Sequence, residues 1–282
     1  MVRKAVIGHI PDTHGVHGVA LAPDLDRGFT SNGRDNSVTI FALSSSKVLG
    51  TVMTERNPDA IVFDPASNRV FAANGGANSV TVIDAVGNRA LKSIPLDGKP
   101  EFASVDGMGR LFINLEDKNA LVVIDTATLV VTHRYDLSAA CDEPAGLSID
   151  PARQVLFIGC HNQTMAIVDA NTGRIVDAVP IGAGSDATAF DAAAQIAYSS
   201  NGDGTLTVVA AGKDGHYTAV QNVATMRGAR TMALDPDSHA VYLMAAEIDH
   251  VDSPTEQTPR PRPVLKPGSM TLITVLPAAI HM

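Results

Sequence analysis

The chain writes nearly the same stretch six times, and this repeat limits its fold more than any other feature. A short apolar strand, a turn and a second strand begin at His17 ("HGVALAPDLDRGFTSNG"), Asp59 ("DAIVFDPASNRVFAANG"), Glu101, Ala145, Asp186 and Arg230 ("RTMALDPDSHAVYLMAA"). The steps between these starts are 42, 42, 44, 41 and 44 residues. A third alternating strand follows in most units, such as "SVTVID" or "TMAIVD", and then a fourth, such as "ALKSIPL". Short strands joined by Asp-Pro, Asn-Gly and Thr-Gly turns form a twisted antiparallel sheet that cannot bury both faces alone. Stacking such units around an axis covers every face, so the spacing predicts an all-β chain, a β-propeller with one four-stranded blade per repeat.

The last repeat supplies only three strands, while "KAVIGHI", residues 4–10, reads as a fourth strand with nothing before it. The expectation is therefore six blades in one domain over 1–282, the N-terminal strand completing the last blade and removing two sheet edges. A seven-bladed ring, a truncated seven-bladed parent and closure through a dimer are the alternatives.

Composition agrees with a large packed core, at 45 % hydrophobic and 18 % charged residues. The formal net charge of -9 and an aromatic content of 4 % with no Trp argue against a basic, base-stacking surface for nucleic acid. No run of eighteen apolar residues predicts a membrane span. The N-terminus has no long apolar stretch or small-residue cleavage site, so no signal peptide is read there. That pattern suits a cytoplasmic product or the mature form of an exported one.

In a propeller the loops entering the innermost strands share a face with the loops between second and third strands. Those loops vary here, while the opposite turns repeat Asp-Pro, which places function on the variable face. Its inner ring offers His17, Asp59, Glu101, Ala145, Asp186 and Arg230, with Glu143 just upstream of Ala145. A second ring offers Asn32, Asn74, Asn114, Cys160, Asn201 and Ala245, with Glu116, His161 and Glu247 close by. Carboxylates crowded at one mouth raise each other's pKa unless a cation compensates them. A divalent metal held by Asp59, Glu101, Glu143, Asp186 or His161 is the simplest such cation. Carboxylate and amide ligands suit calcium or manganese, and imidazole shifts the choice toward zinc.

With a metal in place the chemistry would be hydrolysis of a small ester, lactone or phosphotriester, with His17 as ligand or general base and Arg230 stabilising developing negative charge. The bland alternative is a wet channel mouth whose acidic and amide side chains cap backbone groups. Cys141 and Cys160 fall on neighbouring antiparallel segments, which allows a disulfide, with two buried thiols or a metal thiolate as alternatives. Residues 247–269 are Pro-rich and interrupt the last repeat; they are expected to be a strandless insertion that either folds over the mouth or stays uninvolved. His133, His216 and His239 fall on outer strands or far turns and read as solvated surface.

The pattern of a strand leading into "DP...R.(V/L)(F/Y)" and then "N...N.V.V.D" resembles the YVTN/YncE-type surface-layer propeller repeats over nearly the whole chain. That resemblance implies a propeller exported to the periplasm or beyond. It also implies a second functional class, a noncatalytic propeller, monomeric or homodimeric, that binds a protein, glycan or nucleic acid through its top face. Relatives of the repeat have been credited with DNA binding, against which the acidic mouth counts.

Overall fold

The computed structural model describes residues 6–253, 255, 261 and 263–277. Blade 1 comprises β1 (Val16–Ala22), β2 (Arg27–Asn32), β3 (Ser37–Ala42) and β4 (Val48–Met53). Blade 2 follows as β5 (Pro58–Asp64), β6 (Arg69–Asn74), β7 (Ser79–Asp84) and β8 (Arg89–Pro95). Blade 3 is β9 (Pro100–Val105), β10 (Arg110–Leu115), β11 (Ala120–Asp125) and β12 (Val130–Asp136). Blade 4 is β13 (Pro144–Asp150), β14 (Val155–Cys160), β15 (Thr164–Asp169) and β16 (Ile175–Pro180). Blade 5 is β17 (Ser185–Asp191), β18 (Ile196–Asn201), β19 (Thr205–Ala211) and β20 (Tyr217–Ala224). In blade 6 the main sheet holds β21 (Thr231–Leu234), β22 (Val241–Ala245) and β25 (Thr271–Val275), and a separate hairpin of β23 (Ile248–His250) and β24 (Val264–Leu265) lies between β22 and β25 in sequence. Every pairing is antiparallel, and the helical content is two three-residue 3-10 turns among the described residues. The molecule is a six-bladed β-propeller.

The period-2 pattern of each strand sends alternate side chains to the two faces of its blade, and each face packs on the next blade. Phe29, Phe71, Phe112 and Phe157 occupy one equivalent position in blades 1 to 4 and are fully buried against the following blade. Tyr198 takes that position in blade 5, and Tyr242 in blade 6 is half-buried. Burying each phenyl contributes about 1.5–3 kcal/mol, which makes this repeated aromatic the main fastener between blades. Close approach of inner strands adds specificity. At Gly146 a Cβ would meet the Thr188 backbone nitrogen of the next blade at 2.6 Å, so no larger residue fits there.

Polar staples join the blades on the face of the Asp-Pro turns. Arg27 donates to the carbonyls of Ala85 and Val86, the latter at 2.8 Å, and Arg69 does the same to Thr126 and Ala127. Arg110 reaches Ala170 and the Asn171 side chain. Blades 4 to 6 carry Val155, Ile196 and Ala240 at the equivalent position and have no such staple. Between blades 5 and 6 the contact is instead His239 Nδ1 to Asp191 Oδ2 at 2.7 Å. His239 is therefore a latch between blades, and its sequence reading as free surface misses that contact.

Two sequence expectations need correction. The insertion over 247–269 is not strandless, because Ile248–His250 and Val264–Leu265 pair as a hairpin. Its prolines lie outside those two short strands, which is where the ladder tolerates them. The N-terminal strand expected to complete blade 6 is not formed over residues 6–10, where Val6 and Ile7 are almost fully exposed and Gly8 lies against Ser46 of blade 1. Residues 4 and 5 of that segment lie outside the described residues. Inner strands pack as β1 on β5, β5 on β9, β9 on β13, β13 on β17 and β17 on β21, whereas no comparable packing joins β21 to β1. Val19 and Leu21 of β1 and Met244 of β22 stay exposed as a result.

Candidate functional site

The inner ring is built by a repeated irregularity. In β1, β5, β9, β13 and β17 the pairing with the second strand slips just after the strand begins, leaving His17, Asp59, Glu101, Ala145 and Asp186 in a bulge. A bulge bends the strand and re-aims the extra side chain, which suits a residue at a channel mouth. The preceding blade then pins the mouth backbone. Ser31 Oγ donates to the Asp59 carbonyl, Asn114 Nδ2 to the Ala145 carbonyl at 2.8 Å, and Ser200 Oγ to the Arg230 carbonyl.

The ring side chains pair across neighbouring blades. His17 Nδ1 lies 3.5 Å from Asp59 Oδ1, and Arg230 Nε lies 3.7 Å from Asp186 Oδ1. Gly33 permits the first pair, since a Cβ there would press on the His17 ring and the Asn57 amide. Lys99, which sequence reasoning did not single out, bridges Glu116 and Glu101, its Nζ 2.9 Å from Glu101 Oε2 and in direct contact with Glu116. Its aim favours Glu116, and Glu101 Oε2 makes no aligned hydrogen bond. The signal for Lys99 was present: Asn57, Lys99 and Glu143 each precede the proline that opens an inner strand.

Burial pushes the Asp59 carboxyl above the usual carboxylate range; His17 and Lys99 oppose the shift, and Asp186 and Glu116 add to it. Glu101 is raised likewise, by burial first, with Lys99 opposing and the charges of Glu116 and Asp59 adding. Burial lowers the Lys99 pKa, but the neighbouring carboxylates of Glu116 and Glu101 outweigh it and hold the amine above the ordinary lysine value.

A second cluster lies between blades 3 and 4. Glu116, on the 3-10 turn after β10, Glu143, before β13, and His161, after β14, bring one ligand atom each within 4.8 Å of one another. His161 Nδ1 is 2.8 Å from Glu143 Oε2. Asn119 holds the loop in place, accepting from Glu143 N–H at 2.9 Å and donating to Asp142 at 3.2 Å. Cys141 and Cys160, both fully buried, form a disulfide with Cα atoms 5.4 Å apart, fixing the chain on either side of the cluster. Glu143 itself has φ +49°, where the equivalent positions in blades 1, 2 and 5 hold Gly15, Asn57 and Gly184. A long side chain in the left-handed region carries a backbone cost, which Glu143 shares with Leu129, Gln154, Gln163 and Gln195 elsewhere in the chain.

Of the sequence-proposed metal ligands the fold brings together Glu143 and His161, joined by Glu116. Asp59 and Glu101 stand with Lys99, and Asp186 with Arg230. The asparagines spend themselves inside the blades. Asn32 Nδ2 donates to Ser37 and Thr39 while Oδ1 accepts from Thr30 at 2.9 Å. Asn74 and Asn201 make the same donations within their own blades. Asn114 is one residue out of step, because Leu115 takes the equivalent place and Asn114 turns to the next blade. Glu247 sits beside the hairpin, paired with Lys266 at 2.8 Å.

Repeat, topology and mouth define a β-propeller with a charged, partly buried polar ring at one end of its channel. No protein-family model and no curated protein matches the chain. Among solved structures it is similar to hydrazine synthase of Kuenenia stuttgartiensis, at 19 % identity and a TM-score of 0.70 over 86 % of this chain and 76 % of that one. A functionally unknown protein from Desulfotomaculum acetoxidans DSM 771 gives 12 % and 0.71 over 82 % and 79 %. The mitotic checkpoint complex gives 14 % and 0.71 over 81 % and 71 %. Likeness at these identities is a likeness of fold. Among the described residues no helix is long and apolar enough to cross a membrane.

Proposed function

We propose that the channel mouth is a metal-assisted hydrolase site for small esters, lactones or phosphotriesters. The observation that carries this reading is the approach of Glu116, Glu143 and His161 to within 4.8 Å. Two carboxylates and an imidazole suit zinc or manganese better than calcium, which prefers six or more oxygens. A divalent ion there would supply Lewis acidity toward a carbonyl or phosphoryl oxygen. His17 is the candidate general base, oriented by Asp59, and Arg230 is placed on the same ring to stabilise negative charge. The disulfide suits an oxidising compartment, and the YVTN/YncE-type pattern supports a periplasmic or secreted protein.

A second reading has its own support. Asp59, Glu101 and Asp186 already face His17, Lys99 and Arg230 respectively, as on a noncatalytic propeller that binds a partner through this face. Elemental analysis of the parent and a Glu143→Gln, His161→Asn variant separates the two. Stoichiometric zinc or manganese in the parent, lost in the variant together with ion-dependent hydrolysis of an ester, lactone and phosphotriester panel, is the expected result. No bound ion in the parent after both metals are added back rejects the hydrolase.

A further inference from the structure

Blade 6 ends on β25, an edge strand that no other described strand pairs on its outer side. In the other five blades a fourth strand occupies that side. The sequence of β25, "TLITV", carries no charge and no proline, whereas the outer strands β8 and β12 carry Arg89, Lys92 and Arg134. An apolar edge without such blunting is a template for a further strand. Around it Met270, Leu272 and Leu276 are 73 %, 51 % and 67 % exposed.

The same chain presents a matching piece. Residues 6–10 make no strand, and Val6 and Ile7 are 95 % and 98 % exposed, the highest values of any large apolar side chains described. In its own ring this arm runs past blade 1, with Gly8 against Ser46, and not along β25. We propose that two copies of the chain exchange these arms, the Val6–Ile10 segment of one adding to β25 of the other. The new strand would continue the ladder of β21, β22 and β25 and give blade 6 the fourth strand that the other five blades have. Reciprocal exchange gives two identical contacts about a two-fold axis and closes, as arm-swapped dimers do. The occupant is thus a second copy of this chain.

Light scattering on the full-length protein over a range of concentrations should give twice the 29.4 kDa chain mass. Single variants Ile7→Cys and Leu272→Cys, mixed and oxidised, should form a cross-linked pair that neither forms alone. Both native cysteines are already in the disulfide, so the new thiols report cleanly. A Val6→Asp, Ile7→Asp variant, altered only at exposed side chains, should keep the parental Tm of its ring and fall to the single-chain mass. A single-chain mass for the parent at every concentration would overturn the proposal. So would a cross-link within one copy of an Ile7→Cys, Leu272→Cys double variant, or a charged variant that remains dimeric.

Discussion

At the scale of single residues, Asp59 holds a half-buried carboxyl and Glu143 a left-handed backbone. The folded-state pKa of Asp59 is raised, with burial as the leading cause. A carboxyl raised in this way favours the folded state below its unfolded pKa, and that contribution is lost as pH rises through the folded value. Asp59→Asn should therefore match the parent near about pH 4 and exceed its Tm increasingly toward about pH 7. Parallel melting curves over that range would show that the burial has no energetic weight. Glu143→Gly removes a left-handed backbone cost of about 1–2 kcal/mol and adds about 0.5–1 kcal/mol of glycine entropy. The expected outcome is a stability unchanged or up by as much as about 1.5 kcal/mol, with divalent-ion binding lost. A clear drop in Tm would assign Glu143 a structural role. The inner-ring residues could be read from the repeat alone, and Lys99 from its place before a strand-opening proline, but its pairing with Glu116 could not, because Glu116 comes from the turn after β10 and meets it only once the strands pair.

At the scale of the element, the blade is a strand pair with an internal polar tie. Asn32 links the end of β2 to β3 through Ser37 and Thr39 and takes Thr30 in return, all of them buried. Truncation leaves three hydroxyls without their amide. Asn32→Ala should cost about 1–3 kcal/mol in chemical denaturation and leave the mouth's ion binding untouched. Strand order and the turn positions were legible because period-2 apolar patterning and Asp-Pro, Asn-Gly turns are local signals. The bulge that re-aims the mouth residues was not, since a slip in pairing leaves no mark in one strand's own sequence. The same holds for Asn114, whose alignment with Asn32 and Asn74 looked natural by letter. One residue of register turned it from the blade's interior to the neighbouring blade's Ala145 carbonyl. The hairpin in the Pro-rich insertion escaped notice for a further reason: strands of three and two residues are too short for periodicity to show.

At the scale of the whole molecule, the number of blades followed from the count of repeats, and the way the ring ends did not. Local pattern assigns "KAVIGHI" to a strand, but which edge it meets depends on where the arm travels, and its described residues 6–10 lie by blade 1. The channel-mouth cluster follows the same logic, since residues forty apart converge only through ring geometry. The arginine staples give the ring a direction. Arg27, Arg69 and Arg110 tie blade 1 to blade 2, blade 2 to blade 3 and blade 3 to blade 4, and none follows. Under a pulling force applied at the two ends of the chain, the load meets arginine-tied blades on one side and joints without that staple on the other. The propeller would peel from blade 6 inward, shedding blades 5 and 6 while blades 1 to 4 hold.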